Sequence, residues 1–139
     1  MDMPLQPIAL YIVATITFFA IDLVWLGFIA RNFYFDQLGN LARNPNDINW
    51  VAAIIFYLVF ILGILVFAVY PAINSESLQK AIILGAFFGF VAYATFDLTN
   101  LATLKDWPVK LVVVDMIWGT VLSASVATIT FYLSRYINL

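Results

Sequence analysis

The chain has 139 residues, 65% hydrophobic, 17% aromatic and only 10% charged, with a formal net charge of −2 and a mean hydropathy of +1.02. This composition is far from a soluble mixture and indicates an integral membrane protein whose first partner is the lipid bilayer. No basic patch exists to hold nucleic acid, and the absence of Cys and His excludes disulfides, thiolate metal centres, cysteine nucleophiles and Ser-His-Asp triads.

Four apolar runs are each near or above the roughly 20 residues needed to cross a hydrocarbon core. They place helices at about 8–30, 50–70, 78–104 and 108–134, giving an all-α, four-transmembrane-helix bundle in one membrane domain, residues 1–139. The runs are unbroken rather than alternating, which favours helices over barrel strands. The first is expected to be retained rather than cleaved, because Met1-Asp2-Met3 lacks the basic segment of a signal peptide.

Between the first two spans, Arg31–Asn49 is the only connection with room for structure of its own. Tyr34, Leu38, Leu41 and Ala42 fall at helical spacing there, so a short interfacial helix is expected within 31–44, with an irregular loop as the alternative. Asn44-Pro45-Asn46-Asp47 offers a turn and a cap before the second span, and Pro71 is expected to close that span. Asn74-Ser75-Glu76-Ser77 offers caps for the third helix, and Asp106-Trp107-Pro108 starts the fourth. Arg31, Arg43, Lys105 and Lys110 flank the first and third connections, against Lys80 and Arg135 on the other side. This bias puts both termini outside, with dual topology as the alternative.

Asp22, Asp97 and Asp115 lie inside the spans, and the nearest basic residue in sequence is Lys110, five residues before Asp115. An acid at mid-helix costs about 2.5–3.5 kcal/mol on insertion scales, so three of them call for a shared purpose. At about 1.5 Å rise per residue, Asp22 lies about 4–5 Å, and Asp97 and Asp115 about 9 Å, toward the cytoplasmic side of their helix midpoints. Tyr57 falls at nearly the same level, so one polar layer draws on every span. Asp115, Gly119, Ser123 and Ala127 recur every four residues, as do Gly85, Gly89, Tyr93 and Asp97. Each of these two acids therefore shares a stripe with small residues that allow close helix approach. Asn100 and Thr99 lie within a turn of Asp97, and Trp25 and Trp118 each follow an aspartate by three residues.

Burial and neighbouring carboxyls both disfavour ionisation, which suits such a layer to proton exchange; where acids ionise, they and the aromatic faces would bind a cation. The candidate ligand- or proton-binding residues are Asp22, Asp97, Asp115, Tyr57, Asn100, Trp25 and Trp118. Whether the cation is a metal stays open, and no cofactor is expected. The competing reading is a structural or accessory membrane protein whose acids only hydrogen-bond helices together. An intramembrane enzyme ranks third, since neither an Asp-Asp-x-x-Asp array nor a Gly-rich phosphate loop occurs.

The segments Phe19-Ala20-Ile21-Asp22-Leu23-Val24-Trp25-Leu26-Gly27, Tyr93-Ala94-Thr95-Phe96-Asp97-Leu98-Thr99-Asn100 and Val114-Asp115-Met116-Ile117-Trp118-Gly119-Thr120 resemble small bacterial four-helix membrane proteins catalogued as a domain of unknown function. That resemblance covers nearly the whole chain and implies a bacterial inner-membrane protein, with no activity attached. A looser, architectural likeness is to small multidrug transporters, which also have four short helices and pair as dimers around membrane acids. Their acid is a glutamate in the first helix, where this chain carries Asp22. The reading that follows is a four-helix bundle, as a homodimer, that binds a proton or cation and serves as a small transporter or channel.

Overall fold

The computed structural model describes residues 5–137, and the reading of Met1-Asp2-Met3 lies outside them. Every regular element in this range is helical. Four helices are long and apolar enough to cross a membrane: α1 (Leu5–Ile29), α3 (Trp50–Asn74), α4 (Leu78–Thr103) and α5 (Val109–Ser134), with the short α2 (Phe33–Leu38) between the first two. Spanning helices satisfy their own backbone polar groups, the condition that a lipid environment imposes on an apolar run. Their outward faces carry large exposed apolar side chains such as Ile16, Phe28, Val51, Phe67 and Phe87.

Side-chain caps fix two helix starts. Asn49 accepts the Ala52 N–H at 3.1 Å to begin α3, and Ser77 accepts the Lys80 N–H at 3.1 Å to begin α4. The cap of α3 is thus Asn49 itself, and the preceding Pro45–Asp47 forms a separate 3₁₀ turn. Pro108 sits at the N-cap position of α5, one residue before its first turn.

Pro71 does not close α3, contrary to the sequence expectation. The helix widens into a π-turn over Leu65–Val69, where the Tyr70 N–H reaches back to Leu65 O, and then continues as α-helix to Asn74. The wide turn shifts the register, so that Pro71 enters at the start of a fresh α-helical turn, where its missing N–H is tolerated. A second π-turn, Trp25–Ile29, ends α1, with the Ala30 N–H donating to Trp25 O at 2.7 Å.

The α4–α5 contact is the closest in the bundle, and the two small-residue stripes meet there. A Cβ on Gly85 would lie 2.8 Å from Ala127 Cβ, and one on Gly89 would collide with Gly119 O and approach Ser123 Cβ to 2.7 Å. Only glycine permits this backbone approach, and packing rather than hydrophobicity is what holds helices together in lipid. On the other flank, Leu10, Ala14 and Phe18 of α1 form a core with Phe60, Ile61, Ile64, Leu65, Ala68 and Val69 of α3 and Leu122, Val126 and Ala127 of α5. The Tyr11 hydroxyl donates to Leu58 O at 2.9 Å and ties α1 to α3.

Candidate functional site

Each membrane aspartate continues the buried stripe of its own helix. On α1 the stripe runs Leu10, Ala14, Phe18, Asp22; on α4 it runs Ala81, Gly85, Gly89 and on to Asp97; on α5, Asp115 precedes Gly119, Ser123 and Ala127 by the same four-residue step. Helical periodicity therefore turns all three acids toward protein, at the end of the bundle where α2 and the α4–α5 connection lie.

Two acids receive donors from aromatic side chains. Trp118 Nε1 donates to Asp22 Oδ1 at 3.3 Å, linking α5 to α1. Trp25 Nε1 donates to the Tyr34 hydroxyl at 3.1 Å, and that hydroxyl donates to Asp115 Oδ1 at 3.0 Å. The two indoles stack in parallel, centroids 4.4 Å apart and 9° between planes. The Asp-x-x-Trp steps of α1 and α5 thus interlock: each tryptophan leaves its own helix's aspartate to serve a partner elsewhere. Trp25 lies at the start of the π-turn that ends α1, a wide turn of the kind that recurs at functional sites.

Asp97 differs from the other two. Its side chain is fully buried, and among the described residues neither carboxyl oxygen has a hydrogen-bond donor. The polar group it faces is the Asp115 carboxyl, and two ionised carboxylates have no proton to place between them. A single proton on either would convert this contact into a strong charge-assisted hydrogen bond. Tyr93 stands beside the acids, close to both Asp115 and Asp22, and its ring rests directly on the bare backbone of Gly119. Tyr57 is half-buried near Asp22, its ring edge-on to Phe18 and Phe19 at 5.5 and 5.0 Å.

Asn100 stays outside the bonded network, half-buried one turn beyond Asp97 with no side-chain hydrogen bond among those of the described residues. Thr99 spends its hydroxyl on its own helix, bonded to Thr95 O and to Phe96 O. Among the described residues no group of three His, Cys, Asp or Glu side chains converges tightly enough to hold a metal ion.

Sequence reasoning missed Tyr34 and the full role of Tyr93. Tyr34 was legible only as an apolar position on a short interfacial helix; its hydroxyl faces Asp115, 81 residues away. Gly39, at φ +54°, ends α2 after Leu38 and confines the helix to the turns that carry Tyr34. Burial raises the Tyr34 phenol above its ordinary range, the Asp115 charge adds to this, and the Trp25 N–H opposes it, so the hydroxyl keeps its proton and remains a donor.

Beside this network opens a groove of about 440 Å³, lined by Phe56 of α3, Ala92, Tyr93 and Phe96 of α4, and Asp115 of α5. A second cavity, of about 400 Å³, lies at the opposite end of the bundle among Gln6, Ile73, Glu76, Phe131, Ser134 and Arg135.

No curated protein and no solved structure matches the chain. Residues 7–132 match the family described as "Predicted membrane protein (DUF2177)", whose function is unknown. With nearly its whole length covered by that match, and with four apolar helices of spanning length, the chain belongs to this family of membrane proteins.

Proposed function

We propose that this protein binds a proton at the Asp97–Asp115 pair and exchanges it for a cation, as a small transporter of the bacterial inner membrane. The observation that carries the reading is Asp97: wholly buried, without a donor to either oxygen among the described residues, and set against a second carboxyl. Desolvated paired carboxyls are the arrangement in which one proton is held between two acids. The lack of a three-acid cluster among the described residues favours a proton or an organic cation over a hard metal ion, which takes six or more oxygen ligands in the case of calcium.

The positive residues near the acid end support a cytoplasmic location for the layer and termini on the outside. A homodimer belongs to the same reading through the architectural likeness to small multidrug transporters, which pair as dimers; sizing the protein in detergent tests it.

The Trp25–Trp118 stack makes the layer observable, since its two N–H groups are joined to Asp22 and, through Tyr34, to Asp115. Tryptophan fluorescence of the purified protein is expected to titrate with pH, and Asp97→Asn or Asp115→Asn to abolish the response. Unchanged titrations in both variants would refute the proposal.

A second reading rests on Asp22 and Asp115, whose aromatic donors tie α5 to α1 and to α2: the acids hold helices together in an accessory membrane protein. It predicts that acid-to-amide variants lose stability or assembly while binding nothing differently.

A further inference from the structure

The groove beside Asp115 has a composition that selects its occupant. Phe56, Tyr93 and Phe96 supply three aromatic rings from two helices, Ala92 leaves space between them, and Asp115 is the one charged lining residue among the described residues. Both phenylalanines are about half exposed on the outer surface of the bundle, so the groove is reached sideways from the hydrocarbon region. Its volume of about 440 Å³ lies within the roughly 300–1,000 Å³ common for small-molecule sites.

An ordinary lipid chain would fill the apolar part and leave a carboxylate facing hydrocarbon, an arrangement that is costly. An anion would meet the same carboxylate without any basic residue in the lining. An organic ammonium meets each wall: its charge pairs with Asp115, its N–H groups find a carboxylate oxygen, the rings face the cation, and its apolar chain lies along the remaining surface. Tyr34 occupies only Asp115 Oδ1.

We propose that this lateral groove binds lipophilic ammonium compounds from within the bilayer, with Asp115 as the counter-ion and Phe56, Tyr93 and Phe96 as the walls around the head group. This rests on the exchange reading in one respect, that the same Asp115 carboxyl serves proton and cation in turn.

The test uses the full chain in phosphatidylcholine nanodiscs, titrated with n-octylammonium and, as controls, n-octanol and n-octanoate, with empty discs subtracted. Saturable binding of octylammonium alone is expected. It should weaken about tenfold or more in Asp115→Asn and about threefold or more in Phe96→Ala, whose ring is exposed and whose loss leaves the carboxyl pair in place. Lowering the pH should weaken binding to the wild-type protein, because a proton held between the Asp97 and Asp115 carboxyls removes the charge that pairs with the ammonium. Equal binding of octanol would identify an unselective lipid-chain groove and overturn the proposal, as would undiminished octylammonium affinity in both variants. Should tryptophan fluorescence titrate with pH while octylammonium fails to bind, the groove proposal falls and the proton site stands. Should octylammonium bind selectively with no pH response in either measurement, the groove stands and the proton site falls.

Discussion

Replacing Asp97 by asparagine separates a binding acid from a structural one. The two side chains are nearly isosteric, so the fully packed site neither collapses nor overfills. What changes is the donor inventory: Asp97 has none at high pH, whereas the asparagine Nδ2 can donate to the Asp115 carboxylate. A hydrogen bond to a charged group contributes about 1.5–3 kcal/mol in soluble proteins. Interhelical hydrogen bonds inside membranes average about 0.6 kcal/mol. The asparagine variant should therefore exceed the wild type by about 0.6–3 kcal/mol where the acid pair carries no proton. At low pH a shared proton already supplies the bond, and the two proteins should agree within about 1 kcal/mol. Asp97→Ala provides the contrast: it removes the partner of Asp115 and leaves a void, and should lose about 1–3 kcal/mol at every pH. Unfolding in mixed micelles, followed by circular dichroism across pH, reads all three. An asparagine variant less stable than wild type by more than about 1 kcal/mol throughout would show that Asp97 accepts bonds essential to the fold, and the proton-pair argument would fail.

Gly89→Ala places a Cβ against Gly119 O and 2.7 Å from Ser123 Cβ, so α4 and α5 must part by about 1 Å to restore ordinary contact. A loss of about 1–3 kcal/mol in the same unfolding assay is expected, with a weaker tryptophan pH response because the parting helices carry Asp97 and Asp115. Tyr34→Phe removes the donor to Asp115 and the acceptor of Trp25, and should loosen α2, seen as faster amide exchange over Phe33–Leu38. Because burial raises the Tyr34 phenol, the folded state keeps a proton that the unfolded chain releases above a pH of about 10. Wild-type stability should therefore decline with rising pH in the alkaline range, and decline less in Tyr34→Phe; parallel declines would contradict the buried phenol.

Most of the architecture was legible because in lipid a long apolar run has one economical backbone solution, the helix. The boundaries that failed did so for local reasons. Pro71 stops a regular α-helix, but a π-turn at Leu65–Val69 absorbs it, and nothing in Leu-Val-Phe-Ala-Val announces a widened turn. The facing of Asp97 and Asp115 was readable from four-residue stripes, since small residues mark where backbones approach, and Gly85, Gly89 and Gly119 meet Ala127, Ser123 and Tyr93 accordingly. The hydrogen-bond partners were not. A tryptophan three residues after an aspartate suggests a bond within its own helix, yet Trp118 serves Asp22 and Trp25 serves Tyr34. Pairings across 96 and 81 residues follow from how helices are docked, which single-helix periodicity does not encode. Tyr34 was hidden for the same reason, because a phenol on an amphipathic turn is the ordinary residue of a membrane interface.

Asp115 is where the proton and the groove become one problem. It accepts a hydrogen bond from α2 through Tyr34, faces the Asp97 carboxyl of α4, and lines the cavity shared with α3. A proton shared with Asp97 removes the negative charge that would hold an ammonium, and an ammonium in the groove lowers the pair's affinity for the proton. By linkage the two effects are the same factor read from opposite sides: if acidification weakens octylammonium binding tenfold, saturating octylammonium weakens proton binding tenfold. Asp22 stands apart from this competition, with its own donor from Trp118. The exchange therefore concentrates on one carboxyl with two alternative partners. The stoichiometry follows: for a tenfold coupling, about half a proton released per ammonium bound at the pH midway between the free and bound midpoints, approaching one as the coupling grows and falling toward zero in Asp97→Asn, measured directly with a pH indicator in weakly buffered solution.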